Sequence, residues 1–144
     1  MDEKEMLQQE LYNKCPYMVA QKLLSGKWSI LILCYLRNGP MRFSELGRYM
    51  HALNQTTLTK QLRKLEDDKL IERKVYPVVP PRVEYSLSEI GWEITEVLDA
   101  ISRFGMKYIK YVNKDNGEGC ICEEAGKRGC ICSDSYSPPQ KDDN

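Results

Sequence analysis

The chain is poor in the groups that catalysis needs. A single histidine, His51, stands among 144 residues, which removes the commonest general base. There is no glycine-rich phosphate loop, nucleophile–base pairing or paired-carboxylate motif, so an enzyme is not expected. No apolar run is long enough to span a bilayer, and no membrane partner is expected. The opening residues, MDEKEMLQQE, are acidic and lack the basic-then-apolar layout of a signal peptide. The expected location is therefore the cytoplasm. A hydrophobic content of 42% and a charged content of 29% suit an ordinary globular chain with its own core.

Net charge is also absent, but only in sum. Residues 27–82 carry 11 Lys/Arg against 5 Asp/Glu, whereas the segments on either side are acidic. A basic centre between acidic flanks is the distribution expected of a DNA-reading face.

Local signals divide the chain into short elements. Asp2 with Glu5 three residues on opens a polar helix running to about Asn13. Cys15-Pro16 opens a second helix, for which Gly26 is the expected C-terminal cap. Trp28 to Leu36 is apolar nearly all round, as a central buried helix should be, and Asn38-Gly39-Pro40 stops it. Met41-Arg42-Phe43 is short and extended, and Ser44 is the expected cap of a brief helix through Tyr49. Asn54 is the expected N-cap of a helix from Gln55 to about Asp67, with Leu58, Leu62 and Leu65 in one buried stripe.

Leu70–Tyr76 and Val83–Leu87 read as strands joined by an exposed, proline-rich loop. Ser88 caps a last helix whose apolar period runs for about 24 residues to Val112. That length exceeds the needs of a small domain and suggests a dimer interface. The expected fold class is mainly α with a small β-hairpin wing: a winged helix-turn-helix flanked by N- and C-terminal dimerisation helices. It occupies residues 1–113, with 114–144 a flexible Cys-rich tail.

The helix after Asn54 has the make-up of a recognition helix. Opposite its leucine stripe it offers Gln55, Thr56, Thr59, Lys60 and Arg63, with Thr57 near its start. Gln pairs bidentately with adenine, Arg with guanine, and threonine methyls meet thymine methyls. Lys64 suits a phosphate. Arg73 and Lys74 line the first wing strand, and Arg82 follows the proline-rich tip, placed for a minor groove or phosphate. Arg42 and Ser44 stand where a preceding helix begins, so a phosphate could rest on main-chain N–H groups there. The expected partner is double-stranded DNA. His51 suits a phosphate or structural contact better than a metal.

Six cysteines in a chain expected to be cytoplasmic point to thiols, metal or redox sensing before structural disulfides. With Pro16 at the first helical position, Cys15 is an N-cap, where the helix dipole favours a thiolate. Redox sensing and a plain role in an interface are both open to it. Cys34, in the most apolar helix, reads as core. Cys120, Cys122, Cys130 and Cys132 form a C-x-C-x7-C-x-C duplication. That set could chelate Zn or Cu(I), form disulfides or be incidental, and its spacing departs from the C-x2-C of structural zinc sites. No cofactor is required by any other feature.

These residues also resemble a family. Cys15-Pro16, Gly26-Lys27-Trp28, Arg42 to Leu46, Leu58-Thr59, Leu62 to Leu65, Leu70-Ile71, Arg73, Pro80 to Leu87 and Gly91 are similar to the HxlR-type winged helix regulators, relatives of the MarR group. The resemblance covers roughly Cys15 to Tyr108. It implies a homodimer joined by its terminal helices on a two-fold-related operator, and transcriptional control, usually repression. Several family members sense oxidants or electrophiles at the Cys-Pro site. Lys69 departs from the family's usual Gly after the recognition helix, and Phe104-Gly105 from its usual Trp-Gly. An alternative reading is a thiol-rich metal-binding protein that uses the winged helix as a scaffold.

Overall fold

The computed structural model describes residues 1–113. Its elements run α1 (Glu3–Lys14), α2 (Pro16–Leu23), α3 (Ser29–Leu36), β1 (Met41–Arg42), α4 (Phe43–Tyr49), α5 (Gln55–Asp67), β2 (Ile71–Tyr76), β3 (Arg82–Leu87), α6 (Glu89–Glu93) and α7 (Thr95–Val112). The three strands form one antiparallel sheet in the order β1-β3-β2. Ile71 faces Leu87 and Tyr76 faces Arg82, while Met41 pairs with Tyr85. The short extended segment before α4 thus completes the hairpin as a third strand. The architecture is a winged helix-turn-helix with a helix on each side, and no described helix is long and apolar enough to cross a membrane.

The core follows from the apolar periods. Ile32, Leu33 and Leu36 of α3 meet Leu46 of α4, the Leu58/Leu62/Leu65 stripe of α5, and Leu70, Ile71 and Leu87 at the base of the wing. Fully burying each leucine contributes roughly 1.5–3 kcal/mol. Arg37, just after α3, reaches α7 and holds Asp99 through two bonds, Nη1 to Oδ1 at 2.8 Å and Nη2 to Oδ2 at 3.2 Å. Those hydrogen bonds hold the Asp99 carboxyl below the usual carboxylate range. The contribution is therefore complete at neutral pH and is lost only as acid protonates Asp99.

Three boundaries differ from the sequence expectations. α2 stops at Leu23 with Leu24 as its cap, short of Gly26. A Cβ on Gly26 would instead collide with Ser29 Oγ and Gln61 Oε1, so this glycine serves a close approach between elements. α4 begins at Phe43 with Arg42, not Ser44, as its cap, because Glu45 Oε1 reaches back to accept the Arg42 N–H at 3.3 Å. The single helix expected from Ser88 to Val112 is two, α6 and α7, parted at Ile94. There the Ile94 N–H bonds Gly91 O in a tightened turn, and the Thr95 hydroxyl takes the Trp92 carbonyl at 2.8 Å.

The turn from α5 into the wing closes on a Schellman pair, Leu70 N–H to Leu65 O and Lys69 N–H to Glu66 O, both at 3.0 Å. That geometry puts Lys69 at φ 65°, the left-handed region where glycine is favoured. Ser88 secures the same turn, donating its hydroxyl to Lys69 O at 2.6 Å and accepting the Gly91 N–H at 3.0 Å. A Cβ on Gly91 would overlap Leu70 O, so α6 lies against this turn. Lys69→Gly should leave stability unchanged or raise it by up to about 1 kcal/mol, whereas Lys69→Val should cost about 1–2 kcal/mol. Denaturant midpoints measure both, and a costless valine would contradict the left-handed turn.

Candidate nucleic-acid interface

α5 is built to turn one face outward. Asn54 Oδ1 accepts the Thr57 N–H at 2.8 Å and fixes the start of the helix. The leucine stripe is buried, and Gln55, Thr56, Lys60 and Arg63 are exposed. Thr57 and Thr59 are half-buried. The Thr59 hydroxyl donates to Gln55 O at 2.8 Å, which uses its proton within the helix.

The flank of α5 is engaged internally. Gln61 Oε1 accepts the hydroxyl of the fully buried Ser29 at 3.3 Å. Lys64 Nζ bonds Lys22 O, Leu23 O and Asp68 Oδ2. It faces α2, whereas by type and place it suits a phosphate.

In the wing, strand alternation puts Arg73 and Lys74 on opposite faces, across from Tyr85 and Glu84 respectively. Tyr76 organises the cations: Lys74 Nζ lies 4.9 Å and Arg82 Cζ 4.2 Å from its ring centre. Arg82 Nε also stands 3.3 Å from Glu84 Oε1. Arg82 is thereby pre-ordered at the wing tip, each cation–π contact being worth roughly 0.5–1 kcal/mol at such a site. Tyr76 and Gln61 take part in these contacts without belonging to any motif of the sequence. The signal for Tyr76 lay in β-alternation, which puts it on one face with Lys74. Arg42 and Ser44 are exposed at the start of α4, and His51 is exposed in the turn before α5.

Residues 23–113 match the family model described as HxlR-like helix-turn-helix. The chain belongs to the HxlR-like family. An uncharacterized HTH-type transcriptional regulator of Methanothermobacter thermautotrophicus is 47% identical over 94 residues, 65% of this chain and 72% of the relative. The crystal structure of the HTH-type regulator ytcD superposes with a TM-score of 0.64 at 42% identity, covering 66% of this chain and 97% of that one. The redox regulator HypR in its oxidized form gives a TM-score of 0.58 at 36% identity, covering 70% and 99%. As an HxlR-like protein the chain is a transcriptional regulator of helix-turn-helix type.

Within this HxlR-like body the two cysteines have different surroundings. Cys15 is half-buried and free, at once the C-cap of α1 and the N-cap of α2. Cys34 is buried, and burial pushes its thiol up to about 11, so it is neutral at physiological pH. Cys120, Cys122, Cys130 and Cys132 lie outside the described residues. Phe104 is exposed, and Gly105 lines a groove between α3 and α7.

Gly26→Ala should displace Gln61 and lower stability by about 1–2 kcal/mol. Thermal or denaturant unfolding reads this directly, and an unperturbed variant would contradict the close approach of α5 to the α2–α3 connection.

Proposed function

We propose that the chain is a homodimeric, sequence-specific repressor acting in the cytoplasm on a two-fold-related double-stranded operator. Residues 1–113 are the DNA-binding and dimerising unit, and 114–144 an appended Cys-rich segment. The observation that carries this reading is the exposed row Gln55, Thr56, Lys60 and Arg63, opposite a fully buried leucine stripe. Its N-terminal half suits the major groove, and Arg82, Arg73 or Lys74, and Arg42 suit flanking phosphate or minor groove. An acidic or apolar face would instead have favoured a winged helix that has lost DNA binding and mediates protein contacts.

Dimerisation is supported by apolar surface that one copy leaves open. α1 buries no residue, with Met6 58% and Leu7 62% exposed, and α7 exposes Phe104 at 70% and Tyr108 at 56%. A groove of about 240 Å³ between α3 and α7, lined by Ile30, Leu31, Leu98, Ile101 and Met106, adds to that surface. Such faces on two helices mark an interface.

The signal is assigned to Cys15, reached by oxidants or electrophiles. Support comes from its cap position and from similarity to a redox regulator. The tail is the second candidate, favoured by its repeated Gly-Cys-Ile-Cys unit, whose thiolates suit Zn or Cu(I).

Arg63→Ala and Gln55→Ala should each weaken operator binding by about 1–3 kcal/mol and relax sequence preference. Full, selective binding by the double variant in a titration would remove α5 as the reader. Cys15→Ser should abolish oxidant-induced operator release in a gel-shift assay. Release that persists there, and disappears when the four tail cysteines become serine, would move the sensor to the tail.

A further inference from the structure

The reading helix is held along its flank by polar contacts that neither its core side nor its outward side needs. Lys64 Nζ donates to Lys22 O at 3.3 Å and Leu23 O at 3.4 Å, and pairs with Asp68 Oδ2 at 3.0 Å. The last carbonyls of a helix have no partner within it and carry its negative dipole end. An ammonium placed there is a charge-assisted cap, which shares Lys22 O with the Ser25 hydroxyl at 2.8 Å. One turn back on α5, Gln61 takes the hydroxyl of Ser29, the first residue of α3. α5 therefore grips both ends of the α2–α3 connection with its own side chains. α2 itself has no fully buried residue, and its C-terminal end is seated by Leu23 and Leu24 against the core together with these polar contacts. Its opposite end, about 12 Å away along eight helical residues, has Cys15 at the N-cap position with no side-chain bond to the helix.

We infer that Lys64 is a positioning residue for DNA reading, tying α2 to the recognition helix so that a change at Cys15 is passed to α5 through the carbonyls Lys64 holds. The anchoring stands on the Lys64 contacts alone, whereas the coupling rests on the reading of Cys15 as the responsive thiol. A lysine that met phosphate would instead release a counterion and contribute about one to the salt slope of binding. A positioning lysine changes affinity and leaves that slope alone.

The test uses the full chain with Cys120, Cys122, Cys130 and Cys132 changed to serine, and an operator fragment obtained by in vitro selection. N-ethylmaleimide is the probe. The Cys15 sulfur adds to its alkene, the π bond breaks, and the thiol proton ends on the neighbouring carbon. Lys64→Gln should weaken binding about tenfold with an unchanged salt slope, and Lys64→Arg, which keeps donors for the carbonyls, should recover most of it. Alkylation should release DNA from the parent and from Lys64→Arg, and change the affinity of Lys64→Gln far less. Unchanged affinity, or a slope smaller by about one, would overturn the anchoring. A full alkylation response in Lys64→Gln would overturn the coupling while leaving Cys15 as sensor. No response in the parent overturns the sensor and the coupling together, and the slope then decides the anchoring alone. Should Lys64→Gln fail to fold, amide exchange on the parent replaces it. Alkylation should then change protection over residues 22–26 and the first turns of α5, and unaltered protection there would overturn the inference.

Discussion

What α5 presents on its outer face depends on the burial of Leu58, Leu62 and Leu65. Three leucines at helical spacing, each contributing roughly 1.5–3 kcal/mol when fully buried, outweigh any single polar contact on the helix. They decide which side of α5 is inside, and by the 3.6-residue period they also decide that Gln55, Thr56, Lys60 and Arg63 are outside. The smaller interactions refine this. Asn54 sets where the helix begins, and Gln61 and Lys64 tie its flank to the α2–α3 connection. Burial supplies the attachment, and the polar ties supply the angle.

The wing follows from the way α5 ends. The Schellman turn brings Leu70 back onto Leu65, and from there β2 must leave in a fixed direction. Ser88 and Gly91 fasten the return strand and α6 to the same turn. Recognition helix, wing and the approach to α7 thus share one joint. Arg37 and Asp99 add a second fastening, between α3 and α7. Surface at α7 is thereby connected to α5 and the wing, through Leu98 in the core as well as through these fastenings.

Much of this was legible in the residues. The leucine period with Asn54 marked α5 to its ends, and the proline-rich loop between β-branched and aromatic runs marked the wing. Family identity was legible from motifs spread between Cys15 and Tyr108. What escaped reading was set by contacts between distant segments or by short-range bonds that leave no compositional trace. Gly26 looks like a helix cap, yet its lack of a side chain serves the approach of Gln61. The apolar period runs unbroken across Ile94, so the break between α6 and α7, marked by one threonine hydroxyl, is invisible to periodicity. Arg42 and Ser44 are both plausible helix starts until Glu45 is seen to reach the Arg42 N–H. Lys64 belongs by type with Lys60 and Arg63, the exposed cations of α5, and its main-chain partners on α2 separate it from them.

The central claim is that the outward face of α5 reads bases from the major groove. Methylation interference on a selected operator tests it most directly, because guanine N7 lies in the major groove and adenine N3 in the minor groove. The account predicts interference at guanine N7 in two half-sites about one helical turn, roughly 10 base pairs, apart. Interference confined to adenine N3, or none at any guanine N7, would contradict it.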